Sequence, residues 1–193
     1  MKRQSKSWVY LGACGLLVGL LAGCTSSPER AVVAKVLEVE SRFHPDLRAG
    51  MIDILQAREW YDGHMILIRY PMGKGNEVDE CYGLYRAERS GGQWQVKGWA
   101  TCKEEHGPDK PFGLHVQPGQ TSESGTWSEV HGRVYAEGVT AIQVLWDDGE
   151  TQDAAVIRRS YLALRDGAHE VTRVRGLDAG GEALSTMEPA VRK

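Results

Sequence analysis

Two cysteines in the body of the chain, Cys81 and Cys102, have the most definite chemistry. Between them lie strand-favouring residues and the pair Gly91-Gly92, which suits a two-residue hairpin turn that needs positive φ. If these glycines form the loop, the two cysteines face each other at a non-hydrogen-bonded position, where Cα atoms lie ~4.5 Å apart. A disulfide can span that separation. The sequence therefore predicts a cross-strand disulfide in an oxidising compartment.

Metal chemistry is the alternative for these thiols, with His106 as a third ligand. The paired C-x-x-C spacing of zinc sites is missing, however. His106 and His115 flank a proline-rich loop and could converge on a metal with a nearby glutamate, although solvated loop residues explain them better. The acidic residues at 147–153 do not have the EF-hand spacing and are better explained as a hairpin turn. We therefore expect neither a metal nor another cofactor.

Catalytic motifs are missing from the sequence. It contains no G-x-S-x-G elbow, H-E-x-x-H pair, P-loop or G-x-G-x-x-G loop. Its six histidines are scattered along the chain. The sequence therefore favours a protein that is not an enzyme, with a hydrolase built from distant histidines and carboxylates as the least favoured alternative.

Aromatic residues supply the candidate binding surface. Trp94 and Trp99 differ in parity along one predicted strand, so they should point to opposite faces. One of the two would enter a core, while Trp99 together with Tyr82 forms a possible platform for a glycan or a protein loop. Trp60 and Tyr61, beside a predicted turn, form a second candidate. The alternative buries both hairpin tryptophans, one under a helix and one against a second module.

The first 23 residues are typical of a secretory signal. Lys2, Arg3 and Lys6 form a basic head, an uncharged run spans Trp8 to Leu21, and small residues precede Cys24. The apolar run is short for a bilayer span, which needs ~20 residues. A signal-anchor helix with an incidental cysteine is the alternative.

Leu21-Ala22-Gly23-Cys24 resembles the lipobox of bacterial lipoproteins. The resemblance implies cleavage before Cys24 and lipid attachment to its sulfur, which would anchor the protein outside the cytoplasm. Thr25 follows the cysteine where an aspartate would favour inner-membrane retention. By the same resemblance we expect the outer membrane in a Gram-negative cell, and otherwise the outer face of the plasma membrane.

The net charge of the chain limits the classes of partner that we expect it to bind. The chain has 23 basic and 26 acidic residues, and three of the basic ones lie before Cys24, so the expected mature chain has a formal charge of −6. Nucleic acids and anionic lipid headgroups need a basic face. We therefore expect no nucleic-acid partner and membrane contact through lipidated Cys24.

The next part of the chain predicts a helix on an antiparallel sheet. A tether at 24–28 leads into a helix at 28–42, for which Ser26 and Glu29 offer a capping box. A hairpin turns at Asp62-Gly63, a loop follows at 72–76, and the disulfide hairpin comes after it. Residues 29–105 should then form an α+β unit.

A region rich in proline and glycine, 106–126, is the candidate linker to a β-sandwich-like module at 127–185, with a tail at 186–193. Brief pairing of His115 and Val116 as an edge is the alternative for this part of the linker. The stretches 144–149, 160–162 and 177–181 resemble turn and strand runs of small Ig-like envelope domains. The expected fold is mainly β (α+β), with an N-terminal helix on an antiparallel sheet followed by a small Ig-like β-sandwich module.

These patterns together favour a membrane-anchored extracytoplasmic module that binds envelope proteins or glycans. A lipoprotein that senses a small ligand or regulates a membrane complex is the second hypothesis. An apolar cavity between helix and sheet would favour the second, and a concave cluster of histidines and carboxylates would favour the hydrolase.

Overall fold

The computed structural model describes residues 27–74, 77–102, 110–123 and 125–189. The predicted signal segment 1–23 and Cys24 lie outside these residues, as does most of the expected tether. His106 also lies outside them. Within the described ranges the chain is mostly β with a helix near its beginning, so the predicted fold class is confirmed.

Helix α1 spans Pro28–Glu40. Its N-cap is Ser27, whose Oγ accepts a hydrogen bond from the Arg30 amide at 3.4 Å. Ser26 was the expected cap, and the prediction was wrong by one residue because Pro28 already occupies the first helical position. Val32 and Val36 are buried. A short 3-10 helix at Ala49–Met51 leads into the first strand.

The first sheet is antiparallel, with strand order β1-β2-β3-β4. Strands β2 and β3 are longer than predicted: Met72 and Lys74, expected in a loop, lie in β2. Long pairing from Gly63↔Glu88 to Lys74↔Glu77 accounts for this difference. The strand bounds are β1 Asp53–Trp60, β2 Gly63–Lys74, β3 Glu77–Ser90 and β4 Gln93–Thr101.

The first hairpin turns one residue earlier than predicted. Trp60 pairs with Gly63, so the loop is Tyr61-Asp62 and not Asp62-Gly63. Tyr61 adopts the positive φ, at 52°. Gly63 is needed for space, because a Cβ there would lie 2.7 Å from the Ala87 carbonyl oxygen.

The disulfide hairpin has the predicted register. Ser90 faces Gln93 across Gly91-Gly92, and the pairing continues without a shift to Tyr82↔Thr101. Cys81 and Cys102 are disulfide-bonded with their Cα atoms 4.0 Å apart. The predicted cross-strand disulfide is confirmed, and neither thiol remains for the alternative metal site.

The rest of the chain forms two more antiparallel sheets. The middle sheet has the order β5-β6-β9, and the outer sheet has the order β11-β10-β7-β8. The strand bounds are β5 His115–Ser122, β6 Gly125–Arg133, β7 Ala141–Trp146, β8 Thr151–Ala155, β9 Ser160–Asp166, β10 Val171–Leu177 and β11 Ala183–Met187.

Two local expectations need correction here. Residues 115–122, expected within the linker, form β5 and pair with β6 over more than a brief edge. Strand β8 ends at Ala155, and Arg158 and Arg159 adopt positive φ in a turn before β9. Strand β11 reaches Met187, inside the expected tail. The division into domains stays a prediction.

The layers stack as helix, first sheet, middle sheet and outer sheet. A helix-side core joins Val32 and Val36 to residues of β2 and β3 such as Ile66. The opposite face of the first sheet meets the middle sheet in an inter-sheet core, made of Leu55, Met65, Leu67, Tyr82, Leu84, Trp127, Leu162 and Leu164. An outer core lies between the middle and outer sheets.

Alternation along the strands explains the stack. In β9, Tyr161 and Ala163 enter the outer core while Leu162 and Leu164 enter the inter-sheet core. A strand that is apolar on both faces requires a layer on each side. No helix among the described residues has the length and apolar content that crossing a membrane requires.

Candidate binding cleft

The four predicted platform residues occupy different places. Tyr82 is only 5% exposed, in the inter-sheet core, and its hydroxyl donates to Glu80 Oε2 at 3.2 Å. Trp60 and Tyr61 contact each other at the tip of the first hairpin, with ring centroids 5.5 Å apart. Trp99 is half-buried on β4. Tyr82 is therefore buried and offers no exposed surface beside Trp99, whereas Trp60 and Tyr61 lie together as the second candidate. The role of these residues in binding stays a prediction.

Tyr61 holds the hairpin tip against the middle sheet. Its hydroxyl donates to the Thr126 carbonyl oxygen at 2.8 Å, and its ring lies 6.4 Å from that of Trp127. Arg86 is 7% exposed and lies 4.6 Å above the Trp127 ring, while its guanidinium pairs with Asp62 at 3.0 Å. The cation–π contact connects the first sheet to the middle sheet, and the ion pair holds Arg86 to the turn between β1 and β2.

Trp99 lies among histidines from the neighbouring sheet. Its ring centroid is 5.8 Å from that of His115 on β5 and 5.7 Å from that of His131 on β6. The two imidazoles are cross-strand partners and stack 5.2 Å apart. Trp94, on the opposite face of β4, packs against the helix-side core. The two hairpin tryptophans thus point to opposite faces of β4. Trp94 faces the helix side and Trp99 faces the middle sheet, as in the alternative that places one under the helix and one against the second module.

A cavity of about 360 Å³ opens beside this aromatic group, between β4 and β5. This volume lies within the range of about 300–1,000 Å³ that is typical of ligand sites. Both bordering strands are sheet edges. The cavity is lined by Trp99, Thr101, His115, Val116, Gln117, Pro118 and Gln120, and we call it the β4–β5 cleft.

A β-bulge shapes the cleft. Regular alternation would place Gln117 and Gln120 on opposite faces of β5. The register with β6 shifts between them, and Gly119 adopts φ +64° within the bulge. The irregularity brings both side chains to the same cleft.

Two buried titratable groups lie behind the cleft on β6. His131 is fully buried, and its ring nitrogens have no hydrogen-bond partner among the described residues. Burial, aided by the charge of His115, lowers the pKa of His131 to about 3. Burial also raises the pKa of Glu129 to about 7, against the opposing effect of the hydrogen bond that Trp127 Nε1 donates at 3.1 Å. Glu129 is therefore neutral below about pH 7 and His131 is neutral above about pH 3, so both are neutral between these values.

Another cluster lies at the end of the outer sheet. Asp147, Asp148 and His169 bring ligand atoms within 4.8 Å of one another from two turns. His169 Nδ1 lies 3.2 Å from Asp147 Oδ1, and Arg165 Nη2 lies 2.5 Å from Asp148 Oδ2. Hydrogen bonds from the Glu170 backbone and the His169 ring lower the pKa of Asp147. The Arg165–Asp148 ion pair and the hydrogen bond between His169 and Asp147 hold these side chains together.

Comparison with known proteins identifies no relative. No family model, no curated protein and no solved structure matches the chain. The function therefore has to be argued from the residues themselves.

Sequence reasoning did not find most of the cleft. Trp99 was identified from its parity, but the pairing of His115 with His131 depends on β5, which was expected to be linker. A pattern signal was present at 115–121, where Val116 and the polar residues around it alternate. Pro118 and Gly119 interrupt that pattern, because the bulge lies there.

Proposed function

We propose that this protein is a lipid-anchored extracytoplasmic binding module that holds an envelope component in the β4–β5 cleft. The observation that carries the proposal is the cleft itself, which combines an aromatic ring with amide and hydroxyl groups on two adjacent sheet edges. Sites of this composition bind and orient ligands.

Two further features support the location. The lipobox-like sequence before Cys24 indicates an anchor, and attached acyl chains hold durably because each buried CH₂ contributes about 0.8 kcal/mol. The disulfide between Cys81 and Cys102 suits an oxidising compartment. Helix α1 begins four residues after Cys24, which would keep the folded part near the membrane surface.

The anchor is tested by metabolic labelling with an alkyne fatty acid, followed by membrane fractionation. We expect label and membrane association for the wild type, and loss of both for Cys24→Ala. A wild type that carries no lipid label would overturn this part of the proposal.

The cleft is tested in living cells with a photo-crosslinking amino acid at Gln117. We expect covalent adducts to an envelope component from this position. The same amino acid at Thr172, an exposed position on β10 of the outer sheet, is the control. Equal adduct patterns from both positions would argue against the cleft as the binding site.

A further inference from the structure

The orientation of Trp99 is fixed before any ligand arrives. Imidazoles from two strands of the middle sheet contact its indole at 5.7 and 5.8 Å, the latter edge to face. The ring nevertheless lines the cleft and is half-buried. A preorganised ring costs little conformational entropy when a flat apolar surface stacks on it.

Apart from the His115 imidazole, the polar side chains of the cleft are uncharged hydrogen-bonding groups. Thr101 contributes a hydroxyl, and Gln117 and Gln120 contribute amides, each of which can both donate and accept. The bulge in β5 is what places both amides there. Such groups match a ligand that carries several hydroxyl or acetamido groups around a ring.

Charge also selects among ligands. Among the described residues that line the cleft there is no lysine, arginine, aspartate or glutamate, and His115 is the titratable side chain. A multiply charged ligand would therefore lose its hydration and gain little counter-charge in return. A neutral ligand does not incur that cost.

We propose that the β4–β5 cleft binds a neutral saccharide, with the apolar face of a sugar ring stacked on Trp99 and its hydroxyl or acetamido groups bonded to Gln117 and Gln120. This assignment rests on the proposed binding function and specifies its ligand class. Sugars fit the site because a pyranose ring has one apolar face and an equatorial rim of hydrogen-bonding groups.

The experiment is a saturation-transfer NMR titration of the full mature protein in detergent micelles. The probes are N,N′,N″-triacetylchitotriose and cellotriose, both neutral, with a trigalacturonate as the anionic comparison. We expect saturation of the ring protons on one face of a neutral probe, and none for trigalacturonate. Failure of both neutral probes to bind overturns the proposal, as does tighter binding of the anion.

Variants locate the site. Trp99→Ala should weaken binding about tenfold, as is typical when an aromatic anchor is truncated. Gln117→Ala should weaken it less, and Trp99→Phe should retain part of the affinity. Trp94→Phe, on the opposite face of the same strand, is the matched control and should bind like the wild type. Unchanged binding by Trp99→Ala, with the disulfide and circular dichroism intact, overturns the assignment.

The NMR titration and the photo-crosslinking experiment together distinguish the saccharide assignment from the broader proposal of a binding function. If the neutral probes do not bind but the crosslinker at Gln117 captures an envelope protein, the saccharide assignment is wrong and the binding function stands. If neither occurs, both are wrong.

Discussion

At the residue scale, Glu129 and His131 oppose each other in their response to pH. Both are buried on the same face of β6. Folding raises the pKa of Glu129 from 4.5 to about 7 and lowers that of His131 from 6.5 to about 3. Between about pH 4.5 and 6.5 the folded state therefore holds extra proton on one group and lacks it on the other. The two contributions cancel in large part, and stability should be nearly flat there.

Glu129→Gln should remove the loss of stability that the wild type shows at alkaline pH. Because the folded pKa of Glu129 is raised, its contribution is fully present below pH 4.5 and is lost as pH rises through about 7. We expect the variant to exceed the wild type in unfolding free energy by on the order of 2 kcal/mol at pH 8, and by little at pH 4. Urea unfolding at both pH values measures this. Glu137→Gln, at an exposed position, should show no such difference.

His131→Leu should remove the loss of stability at acid pH that burial of His131 causes. The folded state prefers neutral His131, so this group by itself lowers the unfolding free energy as pH falls from 6.5 toward 3, while Glu129 offsets that loss down to about pH 4.5. We expect the variant to gain stability between pH 7 and 5, where the wild type stays nearly flat, and to decline less than the wild type below pH 4.5, as measured by thermal unfolding at pH 3.5, 5 and 7. An acid decline as steep as that of the wild type would show that His131 is not the group responsible.

At the element scale, strand register was largely predictable and tertiary contacts account for the errors. The alternation of side chains and the Gly91-Gly92 turn predict every facing pair of β3 and β4, because local geometry alone sets the register of a hairpin. The turn before β2 was misplaced because the Tyr61 hydroxyl bonds Thr126 on another sheet, which offsets the strain of its positive φ. The cleft was hidden for a similar reason, since its glutamines converge only through a bulge.

The disulfide should contribute substantially to stability. It closes a loop with a sequence separation of 21 residues between two partly or fully buried positions. In the loop-entropy account this is worth roughly 3 kcal/mol. We expect Cys81→Ser/Cys102→Ser to lose about that much unfolding free energy in urea. The wild type measured with a reductant should approach the double variant, and a reductant-insensitive wild type would contradict the expectation.

Gly132 on β6 is required by close packing between strands and loop. A Cβ at this position would lie 2.1 Å from the Gly113 carbonyl oxygen. Gly132→Ala should therefore lower the unfolding free energy by about 3 kcal/mol, because backbone must move. Gly50→Ala, where a Cβ meets nothing within 4 Å, is the matched control. Similar melting temperatures for the two variants would argue against this packing.

At the scale of the whole molecule, the inter-sheet core joins the predicted units. Leu67 comes from the first sheet and Leu162 from the middle sheet, and both are fully buried in this core. Ion pairs at its border, such as Arg133 with Glu80, also join the two parts. We therefore expect the described layers to unfold together.

Leu67→Ala tests whether the layers unfold together. The substitution should lower the free energy of unfolding by about 3 kcal/mol because it leaves a cavity. Native-state hydrogen exchange should show reduced protection in β7 of the outer sheet as well as in β2. Leu184→Ala, at a position that is 51% exposed, should change neither. Reduced protection confined to the first sheet would mean that the layers unfold separately.

The position of helix α1 has a mechanical consequence. The helix forms the end of the layer stack opposite to the outer sheet. It begins at Pro28, four residues after the proposed attachment point at Cys24. Tension along the tether would therefore reach the helix before any described strand, and would peel Val32 and Val36 from the first sheet. The β layers, joined by backbone ladders, lie further along the path of force. In a stretched or growing envelope, the helix would yield first while the cleft kept its shape.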